Sequence, residues 1–321
     1  MKAIVYYQYG SPDVLKLEEI ETPVVGVDEV LVEVHAASVN PLDWHGMRGE
    51  PYVMRASEGV TKPKNNGIGA DLAGRVEAVG EKVTEFRPGD EVFGMSIRTC
   101  AEYVRVSQEA IVPKPANLTL EQAAAVPVAA ITALQGLRDK GQIQPGQKVL
   151  INGAAGGVGT FAVQIAKSFG AGVTGVCSTR NVDMVRSLGA DHVIDYTRED
   201  FSQTGQPYDL IFDSAGNRSL SDLRRALAPK GTLVIVGAAE GRWIGPLIPP
   251  LKAILLSPFV SQRMTFFISK RSKPDLLLLK ELIESGKVTP VIDRTYPLAQ
   301  VPAAIRYLEE GHARGKVIIT V

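Results

Sequence analysis

Cysteine is nearly absent. Cys100 and Cys177 are the only two in 321 residues, which excludes a disulfide framework and any CxxC metal knuckle and points to a reducing compartment. An excess of either charge is also missing, since 35 Lys and Arg balance 35 Asp and Glu. Such a chain has no sequence-wide pull toward phosphate backbones or anionic lipid, so nucleic acid is not expected as a main partner. No uninterrupted apolar run approaches the length of a membrane span. Met1 and Lys2 run into a strand-like stretch, Ala3 to Tyr7, with no signal-peptide core or Arg-rich transit segment ahead of it. A cytoplasmic protein is expected.

What is present fits a globular chain. Hydrophobic residues make up 45% and charged residues 22%, close to globular averages, which sets disordered and fibrous classes aside. The length suits two domains, since single domains run to roughly 100–200 residues. The first third reads as short strands punctuated by turns, at Glu29 to His35, Gly74 to Val79, Asp90 to Phe93 and Ala101 to Val106. Within it, Met47 to Gly67 is polar, aperiodic and rich in Gly and Pro, and reads as a long loop.

A different rhythm follows. A helix over Leu120 to Lys140 leads into strands at Lys148 to Asn152, Gly172 to Cys177, His192 to Asp195, Asp209 to Asp213, Gly231 to Gly237 and Arg263 to Ile268. Helices are expected between them at Gly157 to Phe169, Asn181 to Leu188 and Ser219 to Leu227. This alternation implies parallel βαβ units, hence an α/β Rossmann domain with a doubly wound parallel sheet and helices on both faces. The closing elements are a helix at Lys273 to Ser285, a strand near Val291, a helix at Val301 to Glu310 and a strand at Lys316 to Val321. They are expected to return to the first domain. The expected division is therefore residues 1–120 and 287–321 for a discontinuous β-rich domain, and 121–286 for the Rossmann domain.

Val149, Leu150 and Ile151 form a buried strand, the run Gly153-Ala154-Ala155-Gly156-Gly157-Val158-Gly159 turns, and an apolar helix follows. In such a turn one glycine permits the tight bend, another lets the backbone approach a pyrophosphate, and a third lets helix and strand pack closely. The helix N-terminus then presents unpaired N–H groups to the phosphates. Gly153, Ala155, Gly156, Gly157, Val158 and Gly159 are thus candidate cofactor contacts. About twenty residues on, an NAD-preferring site places an acid on the ribose 2′-hydroxyl. Here the chain reads Cys177-Ser178-Thr179-Arg180-Asn181, with no carboxylate at the strand end. Ser178, Thr179 and Arg180 instead offer donors suited to a 2′-phosphate, which points to NADPH. The bland alternative is that Ser178 caps the next helix and Arg180 is a solvated surface residue.

Four motifs carry a family resemblance: Ala37-Ser38-Val39-Asn40-Pro41-Leu42-Asp43-Trp44, Gly69-Ala70-Asp71-Leu72-Ala73-Gly74, Arg87-Pro88-Gly89-Asp90-Glu91-Val92-Phe93-Gly94, and the glycine turn. On these the chain resembles the zinc-free quinone oxidoreductase group of the medium-chain dehydrogenase/reductase superfamily. The resemblance implies a GroES-like N-terminal domain completed by the C-terminal strands, with the active-site cleft between the two domains. It implies that Asn40 and Thr132 lie near the nicotinamide and its ribose, that Tyr196 approaches the adenosine phosphate, and that Asn217, Gly237, Ala238, Phe266, Phe267 and Ile268 line the nicotinamide side. It also implies a homodimer joined along the strand around Arg263 to Ile268.

No metal is expected. A catalytic zinc needs about three Cys, His or acidic ligands and a structural one usually four. Asn40 stands where zinc-dependent relatives carry Cys, and Gly69-Ala70-Asp71 where they carry His-Glu after the glycine. Without a Lewis acid, the easier acceptors are small electrophiles that delocalise incoming charge, such as quinones or α,β-unsaturated carbonyls. His45 and Tyr52 are the candidate proton donors. Asp43 and Asp71 could form an acid/base pair, but both sit in turn motifs where carboxylates cap backbone N–H groups. Two rival readings stand beside the reductase: a catalytically idle NADPH-binding regulatory protein, and a reductase of carrier-linked enoyl substrates.

Overall fold

The computed structural model describes residues 1–236 and 260–321. Two compact units emerge. The first comprises Met1–Ile131, Arg271–Gly286 and Pro290–Val321, the second Thr132–Lys270 and Lys287–Thr289. Among the described residues no helix is long and apolar enough to cross a membrane.

The first unit is built on a sheet that runs Ile292–Pro297, Lys316–Thr320, Glu29–Val39, Asp71–Val79, Glu91–Met95 and Ile111–Pro113, with Tyr103–Ser107 paired onto Glu29–Val39. Alternation along Glu29–Val39 buries Val30, Val32 and Val34 on one face. The last strand lies antiparallel on Glu29–Val39, with Val317 opposite Val39, so the chain's end completes a sheet begun near its start. Gly74 is required here, because a Cβ would lie 2.0 Å from the Glu33 carbonyl oxygen. The helix Lys273–Glu284 also belongs to this unit: Asn117 Nδ2 donates to the Ile283 carbonyl at 2.9 Å and Lys273 pairs with Glu85 at 2.8 Å.

The second unit carries six parallel strands in the order His192–Asp195, Gly172–Cys177, Lys148–Asn152, Tyr208–Asp213, Leu227–Ile235, Arg263–Phe266. Numbered along the chain this is 3-2-1-4-5-6, the doubly wound order. Connections leave the first strand in opposite directions, so a crevice opens between Lys148–Asn152 and Tyr208–Asp213 at their carboxyl ends. Val149, Leu150 and Ile151 have no exposed surface, as strands covered on both faces require.

Two local expectations need correction. The helix expected over Leu120 to Lys140 is broken into Leu120–Ala124 and Pro127–Gln135, with a π turn at Gly136–Lys140. Pro127 lacks the N–H that would continue the first helix and starts the second instead. The stretch read as loop from Met47 also holds helical turns, at Tyr52–Met54 and Arg55–Glu58, and is preceded by a helix at Pro41–Arg48.

A buried polar network ties the first unit together. Asp71, with no exposed surface, accepts the Ser38 hydroxyl at 2.5 Å, Asn40 Nδ2 at 2.9 Å and the Val128 N–H at 2.8 Å. Lys316 Nζ stands 3.4 Å from the same carboxylate and donates to Asn40 Oδ1 at 2.5 Å. Asp43 accepts the N–H groups of Asn40 at 2.7 Å and Gly69 at 3.1 Å. Both acids therefore hold backbone and amide groups in place rather than facing each other as an acid/base pair. Burial raises the Asp43 carboxyl to about 7, with the nearby Asp71 charge adding to the rise and the two N–H donors opposing it.

Two outcomes are expected. Replacing Lys316 by Met leaves the Asp71 charge buried without its cation and should cost about 3 kcal/mol or more in urea denaturation. Asp43 binds its proton more tightly when folded than when unfolded, where its pKa is about 4. Its stabilisation is thus full below about pH 4 and lost as pH rises through about 7, with a slope approaching roughly 1.4 kcal/mol per pH unit. Denaturation curves between those limits should show this slope in the native chain and its loss in Asp43→Asn.

Candidate nucleotide-binding site

The strand Lys148–Asn152 leaves the sheet at Gly153, whose φ of +85° is a left-handed value that favours glycine. The turn is held by Ala154 N–H on the Val176 carbonyl at 3.0 Å and Gly156 N–H on the Gly153 carbonyl at 3.1 Å. At Gly159 a Cβ would stand 2.0 Å from the Gly153 oxygen, so only glycine lets the helix Gly157–Ser168 start this close to the strand. At Gly156 a Cβ would find no atom nearer than 3.5 Å, which leaves its face open. Ala155 is buried and Val158 half-buried. The first intrahelical bond runs from Thr160 N–H to the Gly156 carbonyl, so the N–H groups ahead of it lie at the helix end without partners in the helix. An open glycine face beside those donors is a cradle that fits a pyrophosphate.

Beyond the next strand, Ser178 is half-buried and Thr179 and Arg180 are exposed. Asn181 Nδ2 donates to Ser178 Oγ at 3.2 Å, so the Ser178 hydroxyl proton points elsewhere. The Thr179 hydroxyl donates to Asp195 at 2.5 Å. Tyr196 is exposed, and its N–H bonds the Cys177 carbonyl at 3.1 Å, which brings it beside Ser178. Asp195 was not among the expected site residues. Its place depends on the parallel register that sets it opposite Cys177, and the visible signal was an acid closing the strand His192–Asp195. Cys177 is buried, which pushes its thiol up to about 11, away from reactive thiolate character.

At the crevice, Asn152 Nδ2 bridges Asp213 Oδ1 at 2.8 Å and Asn217 Oδ1 at 3.0 Å. Asp213 also accepts the N–H groups of Ala215 and Gly216, and burial raises its carboxyl despite these donors. Asn217 is thereby fixed next to the glycine turn, where Ser214 Oγ would lie 2.8 Å from a Cβ on Gly153. Thr132 donates to Ser269 Oγ at 2.9 Å, and Gln135 and Lys270 exchange two bonds. These contacts draw Thr132 toward the segment after Arg263–Phe266. Phe266 packs on the hydrophobic core and Phe267 is buried near Gly136, whereas Ile268 is 78% exposed. Gly237 and Ala238 lie outside the described residues.

Three expected residues belong to the first unit. Asn40 is buried with both ends of its amide engaged, by Asp71 and Lys316. His45 stacks on Trp44 with ring centroids 3.6 Å apart, and its Nδ1 lies 2.8 Å from the Glu50 carbonyl. A carbonyl only accepts, so Nδ1 carries the proton. Burial holds the ring's pKa below the ordinary imidazole value, leaving it neutral with its one N–H engaged. Tyr52 is half-buried, and the Arg55 guanidinium lies between its ring and that of Tyr9, at 4.6 and 4.4 Å. Cys100 is buried as well.

Residues 26–116 match the family described as alcohol dehydrogenase GroES-like domain, and residues 188–319 the one described as zinc-binding dehydrogenase. The mouse (Mus musculus) protein named NAD(P)H oxidoreductase RTN4IP1, mitochondrial, is 36% identical over 100% of this chain and 89% of its own length. The Arabidopsis thaliana NADPH-dependent alkenal/one oxidoreductase, chloroplastic, is 35% identical over 99% of this chain and 79% of its own. Among solved structures, the quinone oxidoreductase from Coxiella burnetii superposes with a TM-score of 0.89 at 32% identity, covering 100% of this chain and 99% of that one. With a GroES-like unit, a 3-2-1-4-5-6 Rossmann sheet and relatives alike over the whole of this chain, the chain belongs to the quinone oxidoreductase group of the medium-chain dehydrogenase/reductase superfamily.

Proposed function

We propose that this chain is an NADPH-dependent reductase of quinones or α,β-unsaturated carbonyls that works without a metal. The observation that carries the reading is the glycine cradle at the switch point, followed at the next strand end by Ser178 and Arg180 and no carboxylate of that strand. The activities named for the relatives, alkenal/one and quinone reduction, support the acceptor class.

In this reading the turn from Gly153 to Gly159, with Ala155, Gly157 and Val158, binds the pyrophosphate through main-chain N–H groups. Ser178 gives its hydroxyl proton, and Arg180 its fork, to the 2′-phosphate beside Tyr196. Asn217, Thr132, Gly237, Ala238 and the segment Phe266 to Ile268 attend the nicotinamide end. Bound NADPH supplies a hydride for an electron-poor carbon. The family description suggests zinc, but the donor set does not fit one: Asp71 is saturated by Ser38, Asn40 and Val128, and the Lys316 ammonium is 3.4 Å away, where it would repel a second cation. Among the described residues no three His, Cys, Asp or Glu side chains gather to hold a metal. Charge developing on the acceptor oxygen then needs a proton. Because the His45 N–H is engaged by Glu50, we assign the donor role to Tyr52. Two buried unpaired thiols fit a reducing compartment such as the cytoplasm. The strand Arg263–Phe266, last in the sheet order, is the edge we assign to a homodimer.

Replacing Arg180 by Ala should raise the Kd for NADPH about tenfold or more while changing that for NADH little, since a charge-assisted hydrogen bond contributes about 1.5–3 kcal/mol; equal losses for both would remove Arg180 from the phosphate. Tyr52→Phe should lower kcat on an enone by about a hundredfold with NADPH affinity unchanged. Full turnover in that variant would assign the proton to solvent.

A further inference from the structure

Asp195 closes its strand beside Cys177 in the parallel register, so its carboxylate stands against the segment Ser178 to Arg180 from a neighbouring strand. The residue is only 8% exposed. Its Oδ2 accepts the Thr179 hydroxyl at 2.5 Å, and its Oδ1 accepts the Thr197 hydroxyl at 2.7 Å and the Thr197 N–H at 3.0 Å. Arg198 Nε lies 3.4 Å from Oδ2. The Thr179 bond is the main cause that holds this carboxyl below the usual carboxylate range, so the group is charged at neutral pH. Each threonine hydroxyl has one proton. With both given to Asp195, neither Thr179 nor Thr197, 3.0 Å apart, has a hydroxyl proton left for a phosphate.

We infer that Asp195 is a specificity-determining residue whose charge, partly offset by Arg198, limits how strongly the chain prefers NADPH over NADH. The inference rests on the reading that puts the 2′-phosphate at Ser178 to Arg180. A phosphate there meets a fixed negative charge that NADH, with a hydroxyl in its place, does not. Thr179, which looks from the sequence like a phosphate ligand, acts through Asp195 instead. The strand end of Gly172–Cys177 carries no acid of its own, yet the adjoining strand supplies one, and Arg180 and Ser178 must outweigh it.

The test is calorimetric titration of the full chain with NADPH and with NADH. Asp195→Asn keeps the shape and removes the charge. It should tighten NADPH relative to NADH by about tenfold at low salt, an effect that shrinks at about 0.5 M salt. Arg198→Ala, at a side chain 74% exposed where substitution leaves the fold intact, should shift the ratio several-fold the other way. It carries the test alone if Asp195→Asn does not fold. An affinity ratio unmoved by these variants, in a chain where Arg180→Ala still weakens NADPH selectively, overturns the role of Asp195. If Arg180→Ala weakens both nucleotides equally, the phosphate lies elsewhere, and the cofactor reading fails together with this inference.

Discussion

At the switch point of the Rossmann sheet the backbone folds back on itself with no room for a side chain. The Gly153 oxygen lies where a Cβ on Gly159 would come within 2.0 Å. Any other residue would have to push the helix Gly157–Ser168 off the strand it follows. Gly175 repeats the constraint one strand over, where a Cβ would stand 2.5 Å from Val185 Cγ1 and 3.1 Å from Ala154 Cβ. Helix and strand are therefore close for steric reasons, and the closeness has an electrostatic result. The helix N-terminus, with its partial positive charge, lies at the carboxyl end of the strand, where the crevice opens. A packing requirement and an anion site are the same piece of backbone.

Three buried acids show how differently one side chain can be used. Asp71 has an ammonium beside it and serves as an anchor for a strand, a helix and an amide. Asp213 has only an amide and two backbone N–H groups, and burial raises it; it shapes the loop that carries Asn217. Asp195 sits at a strand edge with hydroxyls and a guanidinium, and is lowered. In Asp213 and Asp195 desolvation favours the neutral form, and the number and charge of the donors decide how far it is opposed. Only Asp195 stands against the segment assigned to the cofactor phosphate.

Much of the fold was legible because the second unit obeys simple rules. Buried apolar runs such as Val149 to Ile151 can be told from amphipathic helices, and their alternation fixes a parallel sheet. The helix Pro41–Arg48 was not legible, because its sequence PLDWHGMR has no apolar period and its start is set by Pro41 and by Asp43 reaching back to the Asn40 N–H. The break at Pro127 was signalled by a proline that a continuous apolar pattern concealed. The site was legible where it is local, as in the turn from Gly153 to Gly159. It was not where it depends on register or long-range pairing. Nothing near Asn40 in the sequence tells that Lys316 will take its Oδ1, and nothing near His45 tells that the Glu50 carbonyl will take its N–H.

Ser178 and Thr179 make the same point at the scale of one proton. They are adjacent hydroxyls, and composition treats them alike. Asn181 donates to Ser178, whose own proton is then free of that bond; Asp195 accepts from Thr179, which then has none to offer. A residue type names the groups that can bond, but a neighbour's choice of donor or acceptor decides which way the hydrogen points. Phosphate needs donors, so of the two hydroxyls only the one that is already accepting a bond is suited to it.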